Sequence, residues 1–467
     1  MFLKVLHFLI IALEVLAIFN LLIIVHELGH FLAARWRGLV IDEFGIWFGK
    51  PIWRKKIRGV WYSLGSIPAG GFVKLPQLAD MSSIEGETET PREQIPKASP
   101  LDKIIVAFAG PLFSFLLAMA MAAIVTVVGK PVNEIEATTT IGYVEPNGPA
   151  AIAGLKAGDQ ILEIDGKPVD KFLGAINSVI WNIIRSEGEK ISFRVKRGDD
   201  VLTIWSGWTK EKSEGWRRPS LRKVLIAPHY VPGVGVVAPG SPAEAAGLRE
   251  GDLITAANGK PIFNIHDLEP ILQENRGKNV TFALERNHSP MQLQLAVPAA
   301  APGKEKEFVE LGILWGRSKL IHPSPYQQVA ESLTTIFNMV GALLSPKSDV
   351  KASHFSGPVG IMNLYYRMFE AEDGWRLAIA LSVLINVNLA VLNLLPFPVL
   401  DGGHITLAIV EAVRRKPVNV RALEFVQTAC ALLLIGFMLY VTFFDVGDLF
   451  GSKQVEEQEQ EEAQPEK

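Results

Sequence analysis

The chain of 467 residues has a single cysteine, Cys430, and almost no excess of charge of either sign. One thiol excludes an intramolecular disulfide framework and any metal site built from several thiolates. Lys and Arg total 46 against 49 Asp and Glu, a formal net charge of −3. This balance excludes a dedicated nucleic-acid-binding protein, because such proteins carry a basic excess. Any bound metal ion must therefore be held by His, Asp or Glu.

Charged residues are scarce, at 20% of the chain, and the mean hydropathy is +0.23. These values argue against a disordered chain and indicate that part of it lies in lipid. Four apolar stretches reach the roughly 20 residues that a spanning helix needs. They cover residues 5–25, 104–128, 377–400 and 425–444. The sequence thus predicts four transmembrane helices, with buried helices of a large soluble protein as the alternative.

The distribution of basic residues predicts how these helices are oriented. Lys and Arg are concentrated directly after the first stretch and between the third and fourth stretches. Cytoplasmic loops are enriched in these residues, so both loops are expected on the cytoplasmic side. Four spans then place both termini and residues 130–375 on the other side of the membrane. The acidic tail, residues 448–467, is expected to be disordered.

A tandem repeat lies between the second and third apolar stretches. The segment GPAAIAGLKAGDQILEIDGKPV, from Gly148, matches GSPAEAAGLREGDLITAANGKPI, from Gly240. Matched residues, such as Gly154 and Gly247, are 93 positions apart. Each copy predicts a short helix, a strand and a tight Asp-Gly or Asn-Gly turn. Both copies resemble PDZ domains, α+β modules that bind extended peptides by strand addition. A spacer without a ligand is the alternative.

The first apolar stretch leads into the motif His26-Glu27-Leu28-Gly29-His30. On a helix, His26 and His30 are one turn apart and face the same way, so both imidazoles can reach one zinc ion. Glu27 can take a proton from a metal-bound water. Ionisable side chains inside a membrane helix are costly, which favours a functional role over a pair of packed or interfacial histidines.

A catalytic zinc ion needs a third protein ligand, which is expected from another membrane segment. The third apolar stretch ends in NLLPFPVLDGGH, residues 393–404. Its two prolines break the helix and free backbone groups that lipid cannot satisfy, so Asp401 is expected to face a polar cavity. Asp401 is therefore the candidate oxygen ligand, and an ordinary interfacial carboxylate is the alternative.

The motif HExxH in the first span and NxxPxPxLDG in a late span together resemble the site-2 protease family of intramembrane zinc metalloproteases. Four spans with two PDZ-like modules between the second and third resemble the bacterial members of that family. The resemblance implies a multi-spanning α-helical membrane protein, with four transmembrane helices and a membrane re-entrant β-hairpin, that carries two tandem α+β PDZ-like domains.

Carried over residue by residue, the resemblance implies His26, His30 and Asp401 as ligands of Zn²⁺ and Glu27 as the catalytic base. Asn393 matches an asparagine that holds the substrate near the metal. The implied enzyme is a zinc metalloendopeptidase that cuts transmembrane segments.

Residues 62–75, YSLGSIPAGGFVKL, resemble the re-entrant β-hairpin of the family. Within it, Gly70, Gly71, Phe72 and Val73 would offer a strand edge to the substrate. A helix hides its scissile amides inside i→i−4 hydrogen bonds, so cleavage requires a locally extended segment. The alternative for these residues is a cytoplasmic surface loop.

Three further polar residues are noted without a firm role. Ser114 lies in a GPxxN-type element of the second span, where many family members carry Asn. Glu14 lies in the middle of the first span, and His404 follows Asp401 by three residues. Glu14 is about three turns from Glu27 and too far to reach the zinc, so we favour a gate or helix-pairing role.

The implied substrates are an anti-sigma factor with a single span, already trimmed outside the membrane, and remnant signal peptides. The PDZ pair would act as a size filter, and the protein would be a monomer in the lipid bilayer, with no nucleic-acid partner. The resemblance implies a bacterial inner membrane, and the termini and PDZ domains are expected on the periplasmic side with the active site near the cytoplasmic side. Two alternatives are a membrane-anchored peptide-binding scaffold, which would not need Glu27, and a metal transporter, which would spread polar residues along a path.

The predicted order of segments is a first transmembrane helix (1–36), a cytoplasmic segment with the re-entrant β-hairpin (37–100), a second transmembrane helix (101–130), two PDZ-like domains (131–221 and 222–318), an amphipathic connector (319–375), a third transmembrane segment (376–411), a fourth transmembrane helix with its preceding loop (412–447) and the acidic tail (448–467).

Overall fold

The structure is a computed structural model that describes residues 2–78, 98–133, 138–211, 218–300, 309–316, 318–371, 373–416, 418 and 420–462. The helices are α1 (Phe2–Trp36), α2 (Pro100–Val128), α3 (Pro149–Ala153), α4 (Val179–Ile184), α5 (Pro242–Ala245), α6 (Ile265–Glu274), α7 (Pro325–Leu344), α8 (Pro358–Glu370), α9 (Gly374–Asn393), α10 (Asp401–Arg414) and α11 (Val420–Glu462).

The strands are β1 (Glu43–Phe48), β2 (Trp53–Ile57), β3 (Val60–Leu64), β4 (Ile67–Lys74), β5 (Lys130–Asn133), β6 (Ile141–Val144), β7 (Gln160–Ile164), β8 (Lys167–Pro168), β9 (Ile191–Arg197), β10 (Asp200–Ser206), β11 (Ile226–Pro228), β12 (Val234–Val237), β13 (Leu253–Ala257), β14 (Lys260–Pro261), β15 (Asn279–Arg286), β16 (Ser289–Ala296), β17 (Ile313–Trp315) and β18 (Ser318–Ile321).

Four helices of the described part are long and apolar enough to cross a membrane. They cover Val5–Trp36, Pro100–Val128, Gly374–Asn393 and Arg421–Leu449. Only 17% to 33% of their most apolar windows is buried inside the protein, so most of that apolar surface faces outward. An outward apolar surface of this kind is what lipid contact requires. The four helices coincide with the four stretches predicted from the sequence.

Helices α1 and α2 approach each other closely because small residues line their contact. A Cβ atom on Gly29 would lie 2.4 Å from the carbonyl oxygen of Ala109. A Cβ atom on Gly110 would lie 2.2 Å from Nε2 of His30. Both positions therefore require glycine, and the close contact brings α2 against the histidines of α1.

The third apolar stretch does not form one continuous helix. Helix α9 ends at Asn393 and α10 begins at Asp401, so the two prolines of residues 394–400 lie in the break. Gly402 and Gly403 allow this turn to fold tightly, because a Cβ atom on Gly402 would lie 2.2 Å from the carbonyl oxygen of Leu394. The break leaves Asp401 in the first turn of α10.

A four-stranded sheet precedes α2, with strand order β2-β3-β1-β4. Strand β1 is parallel to β3 and antiparallel to β4, so it separates the two strands that the predicted hairpin of residues 62–75 would pair. The prediction that residues 62–75 form a β-hairpin is therefore wrong in one respect, because β3 and β4 do not pair with each other. Residues 43–48 supply the inserted strand, and Phe48 and Phe72 stack on its surface with their ring centroids 6.0 Å apart. Strand β4 is at one edge of this sheet.

The two repeats fold into modules with the same strand order. The first has a sheet ordered β8-β7-β9-β10 and a pair β6-β11, and the second has a sheet ordered β14-β13-β15-β16 and a pair β12-β17. Each sheet packs on its own hydrophobic core, together with α4 in the first module and α6 in the second. The predicted duplication is present in the structure.

The boundary between the modules differs from the predicted division at 221/222. Strand β11 pairs with β6 of the first module, and Val224 packs fully buried in the first core. The first module therefore extends to Pro228. The repeated motif marks only the middle of each module and does not locate its last strand.

The two ends of the segment that carries both modules are joined by strands β5 and β18. In this antiparallel pair Asn133 lies opposite Ser318, and Lys130 lies opposite Ile321. The modules therefore leave and rejoin the helical part at one place.

The C-terminal tail also differs from its prediction. The sequence predicts disorder for residues 448–467, whereas α11 continues to Glu462. Glu, Gln and Lys have high helix propensity, so an acidic segment can extend a helix that is already formed. Residues 463–467 lie outside the described residues.

Candidate active site

Helix α1 brings both histidines of its motif to one buried point. His26 and His30 are 7% and 9% exposed, and their Nε2 atoms lie 3.2 Å apart. This contact follows from the four-residue spacing, which returns side chains to the same helix face.

Asp401 completes a triangle with the two histidines. Its Oδ2 lies 3.2 Å from Nε2 of His26, and its Oδ1 lies 3.3 Å from Nε2 of His30. The three potential ligand atoms lie within 4.8 Å of one another. Two imidazoles and a carboxylate are a donor set that suits Zn²⁺. The side chains present thus fit the expected ion.

The opposite nitrogen of each imidazole is held by α2. Nδ1 of His30 lies 2.8 Å from the carbonyl oxygen of Val106, and Nδ1 of His26 lies 2.9 Å from Oγ of Ser114. A carbonyl oxygen only accepts, so Nδ1 of His30 carries a proton, and Nε2 is the ring nitrogen that faces the triangle.

A cavity of about 350 Å³ opens beside the triangle. Its lining includes every catalytic, metal and substrate-binding residue predicted from the sequence, and these are His26, Glu27, His30, Gly70, Gly71, Phe72, Val73, Asn393 and Asp401. The structure thus brings together residues from α1, β4, α9 and α10.

Strand β4 borders the cavity next to Glu27, the residue predicted to be the catalytic base. A Cβ atom on Gly71 would lie 3.1 Å from Cγ of Glu27. Nδ2 of Asn393, which also lines the cavity, lies 3.5 Å from Nε2 of His26. Glu27, Asn393 and residues 70–73 of β4 thus border the same cavity.

The structure also places the residues that the sequence left without a firm role. His404 lines the cavity, Ser114 contacts His26 from behind, and Glu14 is exposed on α1 away from the cavity. Val106 was missed because it acts through its main-chain carbonyl, which leaves no mark on the sequence. Phe48, which also lines the cavity, is brought there only by the strand order of the sheet.

Paired histidines four residues apart, with a glutamate beside the first, are typical of metallopeptidases. Here they lie among helices long enough to cross a membrane, so the class is a membrane metallopeptidase. A model of the family described as Peptidase family M50 matches residues 14–437, and the chain belongs to this family. It is a zinc metalloprotease of the site-2 type.

Named relatives agree with this membership over nearly their full length. A Neisseria meningitidis protein with the provisional name zinc metalloprotease is 31% identical, over 93% of this chain and 98% of its own. The regulator of sigma-E protease RseP of Escherichia coli is 29% identical, over 92% and 97%. The regulator of sigma E protease of Haemophilus influenzae is 30% identical, over 91% and 96%.

A solved PDZ domain also aligns with part of the chain. It belongs to an SdrC-like protein of Listeria monocytogenes, is 20% identical, and aligns over 18% of this chain and 86% of its own with a TM-score of 0.16. A score this low carries no argument, so the description of the modules rests on their own strands and cores.

Proposed function

We propose that the protein hydrolyses peptide bonds inside the transmembrane segments of membrane proteins that have a single span. One observation carries this proposal: the His26, His30 and Asp401 triangle, Glu27 and the strand edge of β4 all border one cavity. The chemistry of hydrolysis and a surface for an extended peptide are thus in one place.

His26, His30 and Asp401 would hold the zinc ion. When bound, zinc lowers the pKa of a coordinated water from 15.7 towards about 7 and polarises the scissile carbonyl. Glu27 would accept the proton of the attacking water and deliver it to the leaving amine. A Cβ atom on Gly71 would lie 3.1 Å from Cγ of Glu27, so a substrate on β4 would pass close to the Glu27 side chain.

The β4 edge would hold the substrate in an extended form. A helical substrate keeps its amides in internal hydrogen bonds, and pairing with a strand replaces those bonds as the helix unwinds. Residues 70–73 would supply this pairing, and Asn393, which borders the same cavity, would hold the bound segment near the metal. We propose that this part of the sheet enters the membrane.

We propose the substrates from the family resemblance, because the names of the relatives give only a role in the regulation of sigma-E. By analogy with the regulators of sigma-E protease, the substrates would be an anti-sigma factor already trimmed outside the membrane and remnant signal peptides. The enzyme would lie as a monomer in the inner membrane with four spans, both termini and both modules periplasmic. The modules would exclude substrates that retain an intact outer domain.

A cleavage assay in liposomes tests the proposal. The substrate would be a trimmed, single-span protein of the anti-sigma type, and wild type would be compared with Glu27→Gln at equal zinc content. We expect cleavage by wild type and a loss of at least about 10²-fold in the variant, because general base catalysis contributes at least that much. Equal cleavage by both would remove Glu27 as base. No cleavage by zinc-loaded wild type would favour a peptide-binding scaffold.

A further inference from the structure

The two imidazoles of the triangle are supported by different kinds of group. His30 is held by a main-chain carbonyl, which can only accept a hydrogen bond. His26 is held by the hydroxyl of Ser114, which can accept or donate. Ser114 is fully buried in α2 and lies 88 residues from His26 in the chain. The hydroxyl therefore touches a predicted ligand without lining the cavity itself.

We propose that Ser114 is a positioning residue for the metal centre. It accepts a hydrogen bond from Nδ1–H of His26 and so keeps the lone pair of Nε2 directed at Asp401 and His30. This inference rests on the proposed role of His26 as a zinc ligand. Ser114 itself touches neither substrate nor metal.

The choice of tautomer decides whether His26 can bind a metal at all. In the other tautomer, Nε2 carries the proton and points it towards the triangle, where Nε2 of His30 is 3.2 Å away. Only the tautomer with Nδ1–H offers a lone pair to the ion. A hydrogen-bond partner on the far side of a ligating histidine fixes its ring and raises its basicity, and loss of that partner typically weakens metal affinity by about 10- to 100-fold.

The packing of α1 on α2 explains why a short hydroxyl side chain suits this position. Gly110 lies one turn before Ser114 and leaves room for the ring of His30, and Gly29 lies against the backbone of Ala109. The two helices are therefore close enough for Oγ of Ser114 to reach His26 directly. Truncation to alanine would leave Nδ1–H buried without its partner, a costly state in a dry site.

Zinc affinity is the direct measurement, and it does not depend on catalysis. Purified full-length variants would compete with a chromogenic chelator for zinc in detergent micelles. The variants are Ser114→Ala and the isosteric pair Ser114→Thr and Ser114→Val, which differ from each other only in the hydroxyl. Ser332→Ala is the packing control, because this buried serine of α7 donates only within its own helix.

We expect about 10- to 100-fold weaker zinc binding for Ser114→Ala, the same loss for Ser114→Val relative to Ser114→Thr, and no change for Ser332→Ala. The absorption of bound Co²⁺ should shift in the variants without the hydroxyl. The comparison of Thr with Val keeps the added bulk constant, so a difference between these two variants reports the hydroxyl alone.

Equal zinc affinity and equal Co²⁺ spectra for Ser114→Thr and Ser114→Val would overturn the role of Ser114. Weaker binding by Ser332→Ala to the same degree would also overturn it, because packing alone would then explain the loss. The variant His26→Ala distinguishes a failure of the proposed metal site from a failure of the proposed role of Ser114. If wild type and His26→Ala bind zinc equally, the proposed metal site is wrong, whereas a loss in His26→Ala alone would reject only the positioning role.

Discussion

The carboxylate of Asp445 in α11 accepts a hydrogen bond from Arg218, a residue of the first PDZ-like module that lies 227 positions earlier in the chain. Nη2 of Arg218 donates to Oδ1 at 2.6 Å, and Oδ2 accepts from the main-chain N–H groups of Gly357 and Gly360 at 2.8 and 2.9 Å. Asp445 is 3% exposed. One buried side chain thus connects the first module, the start of α8 and the fourth long helix.

Removal of this carboxylate is expected to loosen the first module from the helices. Asp445→Ala removes one acceptor of Arg218 and the acceptor of the main-chain N–H groups of Gly357 and Gly360. A buried donor left unsatisfied costs about 1–3 kcal/mol. The matched control is Asp448→Ala, which removes an exposed partner of the same arginine and should cost less than about 1 kcal/mol. Thermal unfolding in detergent would measure both, and equal melting temperatures would contradict the prediction.

A second contact between the first module and the connector is expected to depend on pH. Burial raises the pKa of Asp349, but hydrogen bonds from Arg222 and Lys210 outweigh it and hold that pKa below its ordinary value. A lowered pKa in the folded state stabilises the protein above the unfolded value of about 3.9, and this stability is lost as the pH falls through the folded value.

The stability difference between wild type and Asp349→Asn should therefore be constant from about pH 7 to pH 5 and shrink below about pH 4. Melting temperatures of both proteins across this range would measure it. A difference that grows on acidification would mean that the carboxylate does not stabilise the contact in its charged form.

Both modules can be removed at the paired strands β5 and β18. Since Asn133 and Ser318 lie opposite each other, a two-residue Asn-Gly turn can replace residues 134–317 and close a hairpin. We expect the shortened protein to bind zinc and to cut a trimmed substrate in a Glu27-dependent manner. It should also cut an untrimmed substrate. If the shortened protein still does not cut that substrate, the modules are not the size filter.

A larger side chain at Gly71 of β4 is expected to displace Glu27 and so to impair catalysis, while zinc binding is retained. In Gly71→Ala the new methyl group would lie 3.1 Å from Cγ of Glu27 and 3.2 Å from Cγ2 of Ile23. Contacts of this length require the neighbouring side chain to move by a few tenths of an ångström. Since a displacement of about 1 Å at a catalytic group can cost about 10²-fold in rate, we expect a loss of roughly 3- to 10-fold. Gly436→Ala is the control, because a Cβ atom there meets nothing within 4 Å. An unchanged kcat in Gly71→Ala, with zinc bound, would argue against Glu27 as the base.

Much of this site was predictable because its signals are local. The spacing of His26 and His30 needs only the helical repeat, and the break before Asp401 needs only the conformational limits of proline. The tandem repeat and the four apolar stretches are likewise read from neighbouring residues. The roles of these residues in catalysis remain predictions for the experiments above.

The features that sequence did not predict depend on contacts between distant segments. Strand β1 enters the sheet between β3 and β4, and β11 returns to β6 of the first module. Ser114 reaches His26 only because two helices pack closely. No short stretch of the sequence shows any of these contacts. Each depends on how one segment packs against another that is distant in the chain.

The antiparallel pairing of β5 with β18 has a further consequence for how the chain closes on itself. The entropy cost of closing a flexible loop grows only with the logarithm of its length, by about 0.6 kcal/mol for each doubling. Whatever lies between Asn133 and Ser318 is such a loop as seen from the helices, and its ends are already fixed by a strand pair. The closure entropy therefore changes little when a module is inserted between these strands, and the free energy of such an insertion depends instead on contacts such as those of Asp445 and Asp349 with the first module.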